Sequence, residues 1–189
     1  MAIGEVALVE SARAGDHVAF EAIFSRYQQQ IFNYILRIMG DSEEAYDLTQ
    51  DTFVRAYLAL PKTSPDLNLT PWLFCIATNL CRDRLRRRKL IRWQPLEGVL
   101  GVFQWEDTSS YTPEREAIRN EQADVVQKVL QRLSPDHRLC LVLKEYQGLS
   151  CDEIGAIMGK SRSAVKSLLF RAREEFRTVF RQMENQGEV

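Results

Sequence analysis

Histidine, paired cysteine and long apolar runs are scarce in this chain, and each scarcity removes a class of function. The only histidines are His17 and His137, and neither sits in a nucleophile or metal-ligating pattern. A GxxxxGK[ST] loop and a GxSxG elbow are both absent, so no enzyme, metal site, cofactor or small-molecule substrate is expected. Cys75, Cys81, Cys140 and Cys151 form no CxxC pair, which argues against a zinc site or a disulfide framework and for reduced, mostly buried thiols. No run approaches the 18 apolar residues of a membrane span. The start, MAIGEVALVESARAGD, lacks the basic and apolar regions of a secretory signal, so a cytoplasmic location without membrane insertion is expected. Strand-like alternation between turn signals is also missing, which leaves an all-α fold.

What is present is apolar residue enough for packed cores, at 45% of the chain, and charge that is segregated rather than mixed. The formal net charge is −1, yet residues 1–60 hold nine acids against four bases. Residues 82–92 hold seven bases and only Asp83, and residues 160–181 hold seven bases against Glu174 and Glu175. Two cationic patches on a near-neutral chain suggest a polyanion touched in two places, with acidic surface left for a different partner.

Helical periodicity places helices near 16–39, 42–60 and 70–90. Gly15-Asp16 and Gly40-Asp41-Ser42 supply the cap chemistry between them, and Thr70 and Pro71 suit the N-cap and first position of the third helix. The stretch from 91 to 113 loses periodicity and reads as a linker, although Trp93, Phe103 and Trp105 are many aromatics for one. The chain thus divides into 1–90, a linker at 91–113, and 114–189. The last part opens with a helix near 114–133. Ser134 then caps a second helix that Gly148 ends, and Ser150 and Glu153 form a capping box on a third that Gly159 stops.

A short helix, a glycine turn and a second helix with one apolar and one basic face make a helix-turn-helix pattern, whose second helix enters the major groove of DNA. In that second helix Val165, Leu168, Leu169, Ala172 and Phe176 form the core stripe. Arg162, Ser163, Lys166, Ser167, Phe170 and Arg171 are left on the reading face. Lysine and arginine suit phosphates or guanine edges, serine suits either, and Phe170 suits a thymine methyl group. In the first part, Asp47, Gln50, Asp51 and Val54, with Arg55 beside them, share a face opposite Tyr46, Thr49, Phe53, Ala56 and Tyr57. An acidic face with a central valine suits a protein partner. Trp72, Leu73, Ile76, Ala77 and Leu80 form the inward side of the next helix, which runs out into Arg82, Arg84, Arg86, Arg87, Arg88 and Lys89. Six bases in eight positions exceed what the helix dipole requires.

DLTQDTFVRAY (47–57), a proline-rich loop and PWLFCIATNLCRDRLRRRK (71–89) resemble region 2 of bacterial RNA polymerase sigma factors of the extracytoplasmic-function group. The helices from Leu133 onward, with LSCDEIGAIMGKSRSAVKSLLFRARE, resemble that group's region 4. The resemblance implies a region 2 helical bundle and a region 4 helix-turn-helix joined by a linker, in a transcription initiation factor controlled by an anti-sigma factor. It implies that Asp47, Gln50, Asp51, Val54 and Arg55 dock on the β′ clamp helices of core RNA polymerase, with the β flap as a further contact. It also implies that Asn68 in the loop, Asn79, Arg82, Arg86, Arg87 and Arg88 serve the minus-10 element of promoter DNA. Lys166, Ser167, Phe170 and Arg171 align with residues contacting the minus-35 element. Leu168 and Cys75 stand where arginine is frequent in the group, and Leu69 and Pro71 make the minus-10 loop atypical, which bears on the promoter sequence preferred. The alternative is a helix-turn-helix regulator acting without polymerase. It explains the acidic 47–57 face and the 82–92 basic run poorly.

Overall fold

The computed structural model describes residues 4–91 and 113–188, and their side chains at 4–88 and 123–188. The aromatics Trp93, Phe103 and Trp105 lie outside the described residues. The described residues form helices α1 (Glu5–Arg13), α2 (His17–Met39), α3 (Ser42–Ala59), α4 (Leu69–Ile91), α5 (Pro113–Arg132), α6 (Pro135–Leu141), α7 (Cys151–Met158) and α8 (Arg162–Asn185). No strand occurs among them.

Local chemistry sets most helix ends. Asp16 Oδ1 accepts the N–H groups of Val18 and Ala19 at 2.9 and 3.3 Å to start α2, and Gly40 ends it in the left-handed conformation at φ 70°. Asp41 Oδ1 accepts Glu44 N–H at 2.9 Å to start α3. Along α2, Ala19, Ile23, Tyr27, Ile31, Tyr34, Ile35 and Ile38 make one buried stripe. Each of the isoleucines contributes about 1.5–3 kcal/mol on burial. Several hydroxyl groups inside the bundle are paired. Tyr34 Oη lies 2.8 Å from Thr78 Oγ1, and the Thr49 and Thr52 hydroxyls donate to the carbonyls of Ala45 and Leu48.

Several expectations from the sequence need correction. Helix α1 was not anticipated: it is short, and Gly4 supplies no side-chain cap. Tertiary packing of Leu8, Val9 and Ala12 holds it, with Arg13 Nη2 donating to Thr63 O at 2.6 Å. Helix α4 begins at Leu69, so Thr70 and Pro71 lie inside its first turn; the Thr70 hydroxyl donates to Tyr27 Oη at 3.3 Å instead of capping. Tyr46 is 60% exposed and not on the inward side of α3, where Ala45, Leu48 and Thr52 take the space. Ser134 occupies an N-cap position without capping, because its N–H and hydroxyl both donate to Glu175. After α6 the chain continues as a π-helical turn, Val142–Tyr146, before Gly148 at φ 67°.

The two parts of the chain also share one continuous core. Helix α7 packs on α4, and α5 and the π-helical turn pack on α2. A helix leaves its last four carbonyls without intrahelical partners. Three of those at the end of α2 are met from across the seam: Gln127 Nε2 donates to Leu36 O and Arg37 O, Gln131 Nε2 to Arg37 O and Ile38 O, and Arg138 Nη1 to Ile38 O at 2.5 Å.

Candidate nucleic-acid interface

The helix-turn-helix is set by side-chain caps on both of its helices. Ser150 Oγ accepts Glu153 N–H at 3.2 Å while Glu153 Oε2 accepts Ser150 N–H at 2.8 Å, a complete capping box on α7. The hydrogen bonds from Ser150 hold the Glu153 carboxyl below its ordinary range. Gly159, at φ 66°, closes α7, and Ser161 Oγ accepts Ala164 N–H at 3.3 Å to open α8. The turn passes so close to Gly155 that a Cβ there would stand 2.6 Å from Lys160 O. Glycine is required by sterics, not by its own backbone angles.

These caps fix the rotation of α8. Val165, Leu168, Leu169 and Ala172 are buried and Phe176 half-buried, while Arg162, Ser163, Lys166, Ser167, Phe170 and Arg171 all face outward. Phe170 is 67% exposed. Arg171 Nε leans back to Ser167 O at 3.4 Å, Arg162 pairs with Asp152 at 3.4 Å, and Ser163 Oγ is 3.1 Å from Ser161 Oγ. Lys166 has no ion pair among the described residues. The arrangement is a ridge of cations and hydroxyls around one exposed ring, with each component able to meet phosphate, base edge or methyl group.

The second cationic surface follows α4. Leu73, Phe74, Ala77, Leu80 and Cys81 anchor the helix, and Trp72 and Ile76 are half-buried. Asn68 is exposed before its first turn, and exposed Asn79 donates to Cys75 Sγ at 3.8 Å. The arginines separate by environment. Arg87 is exposed without an ion pair among the described residues, and Arg86 pairs with Asp83 at 2.9 Å. Arg84 and Arg88 both meet Glu44, at 3.7 and 2.7 Å, and Arg88 also donates to Met39 O. Arg82 crosses the seam to Asp136 at 3.4 Å. Arg86 meets only a carboxylate one turn away on its own helix, whereas Arg82, Arg84 and Arg88 hold partners on other helices.

On α3 the residues Asp47, Gln50, Asp51, Val54 and Arg55 are all exposed, opposite buried Leu48, Thr52 and Ala56. Val54 is 57% exposed and Leu58 67%. Leu58 was missed from sequence, although it continues the same stripe one turn beyond Val54. Asp136 and Lys160 were missed as seam residues because nothing local marks them. Burial keeps two thiols inert, pushing Cys81 up to about 12 and Cys140 up to about 11. All four cysteines are free, and no cluster of His, Cys, Asp or Glu among the described residues could hold a metal ion.

Comparison with known proteins agrees with this division. The family Sigma-70 region 2 matches residues 23–91, and the family Sigma-70, region 4 matches residues 123–176. The RNA polymerase sigma-H factor of Pseudomonas aeruginosa is 34% identical over 173 residues, covering 88% of this chain and 89% of its own length. The extracytoplasmic-function factor SigW of Bacillus subtilis is 30% identical over 179 residues, covering 93% and 96%. Among solved structures, CnrH in complex with the cytosolic domain of CnrY superposes with a TM-score of 0.70 at 26% identity, over 95% of this chain and 99% of that one. An exposed acidic face, an arginine-lined helix and a capped helix-turn-helix, in this order along the chain and with these matches, place the chain in the sigma-70 family of RNA polymerase sigma factors, in its extracytoplasmic-function group.

Proposed function

We propose that this transcription initiation factor carries core RNA polymerase to promoters, with the work divided by part. Residues 1–90 bind the polymerase and the minus-10 element, 91–113 link, and 114–189 bind the minus-35 element. Lys166 and Arg171 contact phosphates or guanine edges, Ser163 and Ser167 contact base or backbone, and Phe170 contacts a methyl or sugar face. Arg86 and Arg87 grip backbone near the opened strand, with Asn68 and Asn79 toward splayed bases. The α3 stripe from Asp47 to Val54 docks on the β′ clamp helices, and the β flap meets the second part. The factor performs no covalent chemistry; it contributes binding energy that selects the promoter and stabilises melted DNA. It works in the cytoplasm. Among the described residues no helix is long and apolar enough to cross a membrane. An anti-sigma factor controls it, a reading supported by the superposition on CnrH, itself held by a cytosolic partner domain.

The observation that carries this reading is the coexistence in one chain of an exposed cationic reading ridge on α8, whose Lys166 and Arg171 have no ion pair among the described residues, and a separate acidic, apolar-centred face on α3. A regulator acting without polymerase has no use for the second. Run-off transcription from a genomic promoter library with purified core polymerase tests it. Specific transcripts that require the factor are expected, and failure to form any complex with core would sink the reading.

A further inference from the structure

The loop between α3 and α4, residues 61–68, is where the proposed function needs a fixed shape, and the loop's own contacts are weak. Pro61, Lys62, Ser64, Pro65, Asp66 and Asn68 are exposed, and only Thr63 and Leu67 are half-buried between the buried feet Leu60 and Leu69. Its internal hydrogen bonds are short in range: the Thr63 N–H and hydroxyl both donate to Leu60 O, at 3.1 and 2.7 Å, and Leu67 N–H donates to Ser64 O at 3.2 Å. Among the described residues, one hydrogen bond ties this loop to a distant part of the chain. Arg13 Nη2, at the end of α1, donates to Thr63 O at 2.6 Å. A cation in the last turn of α1 suits the helix dipole, but that attraction gives the side chain no particular direction. Leu8, Val9 and Ala12 fix the rotation of α1, which packs on both α2 and the turn Leu60–Lys62 and so aims Arg13 at the loop. Arg13 Nε is buried there with no hydrogen-bond partner among the described residues. Desolvating it costs free energy, which the bond to Thr63 O offsets. The other foot of the loop is held from α2, where Tyr27 Oη accepts the Thr70 hydroxyl at 3.3 Å.

We propose that Arg13 is a positioning residue of the minus-10 loop: it holds Thr63 O so that Ser64 to Asn68 present one shape to a base of the opened strand. The proposal rests on the function given above, in which Asn68 faces splayed bases. A splayed base offers a ring face and polar edges, so choosing one base over another needs partner groups at fixed positions. Asn68 follows the tether within the same loop, and Pro65 between them has a locked φ, so a displacement of Thr63 is passed along to Asn68. Without the tether the loop samples more shapes, and the cost of ordering it falls on the moment of base capture. The exposed α3 face and the α8 ridge make no hydrogen bond with the loop among the described residues, so their affinities do not follow the tether.

Arg13→Met keeps the aliphatic stem and removes the donors, Arg13→Gln is polar but ends where Nε stands, and Arg13→Lys restores one donor. Hydrogen exchange of the full-length chains is followed by mass spectrometry. Each chain is also assembled with core polymerase and used to capture strands from a single-stranded DNA library of random sequence. Arg13→Met should speed exchange across 61–68 by about tenfold, the worth of one hydrogen bond from a charged donor, and should lower the preference for the favoured base by a similar factor. Arg13→Gln should match it, so the result does not depend on one variant folding, and Arg13→Lys should recover part of both losses. Exchange in the core of α2 and affinity for core polymerase should stay at wild-type values, which a general loss of stability would not allow. Unchanged loop exchange in Arg13→Met and Arg13→Gln would overturn the tether. Faster exchange with base preference intact would overturn the positioning role, as would a loss that fell equally on core affinity. A wild-type complex that enriched no sequence at all would overturn the minus-10 reading itself and the positioning role with it, an outcome visible before any variant is compared.

Discussion

At the scale of single residues, the reading ridge separates energy of position from energy of sequence. Lys166→Ala and Arg171→Ala should weaken promoter binding and leave affinity for core polymerase unchanged. A side chain on phosphate lowers binding to all sequences alike and reduces the salt slope by about 1, whereas one on a guanine edge costs about 1–3 kcal/mol at one position. Competition titrations at several salt concentrations distinguish these cases, and loss of core binding alongside would mean the face is wrongly placed. Glu175 offers a second test. Burial opposes its ionised form, but hydrogen bonds with His137 and Ser134 outweigh burial and hold its carboxyl below its ordinary value. A carboxyl depressed in the folded state stabilises the fold above its unfolded value and loses that contribution as pH falls through the folded one. The melting temperatures of wild type and Glu175→Gln should therefore differ at neutral pH and converge below pH 4.5, the carboxyl's ordinary value. A constant gap down to strongly acidic pH would refute the assignment.

Elements matter here chiefly through how they start and stop. Ser150→Ala removes the hydroxyl side of the α7 capping box and should cost about 0.5–2 kcal/mol, measured by urea unfolding. Gly155→Ala places a methyl group against Lys160 O and should cost about 1–3 kcal/mol, because a backbone carbonyl cannot move aside as a side-chain end can. It should weaken promoter binding more than Ser150→Ala, since the strain falls on the turn that sets the angle of α8. Equal effects of the two on DNA binding would count against that view. These caps were legible in sequence because each acts through hydrogen bonds spanning three or four residues, Ser150 with Glu153 and Gly159 with Gly155. Helix α1, the true start of α4 and the role of Ser134 were not legible. Each depends on a group far along the chain: Arg13 on Thr63, Thr70 on Tyr27, and Ser134 on Glu175.

For the whole molecule, near-neutral charge hides two opposed surfaces. Asp51→Arg should lower affinity for core polymerase on titration and spare promoter recognition by the α8 ridge, the converse of Lys166→Ala. Unchanged core affinity would count against the clamp-facing role of α3. Duplex binding by the isolated chain should be weak and steeply salt-dependent, with log K falling by about 0.9 per phosphate contact against log salt. Anisotropy titrations across salt give that slope, and a flat dependence would remove the phosphate contacts from the account.

The sequence by itself determined the all-α class, the division into two parts, the caps of the helix-turn-helix and the outward placement of Phe170, Lys166, Asp51 and Val54. All of these follow from helical periodicity and from hydrogen bonds spanning three or four residues. Only the tertiary structure decided which cations are drawn to other elements. Arg87 is exposed and Arg86 meets only Asp83 on its own helix, while Arg88 is taken by Glu44 and Met39, Arg82 by Asp136, and Arg138 by the end of α2. The physical reason is range: a charge finds its partner through space, and Asp136 meets Arg82 only because α6 and α7 fold back onto α4.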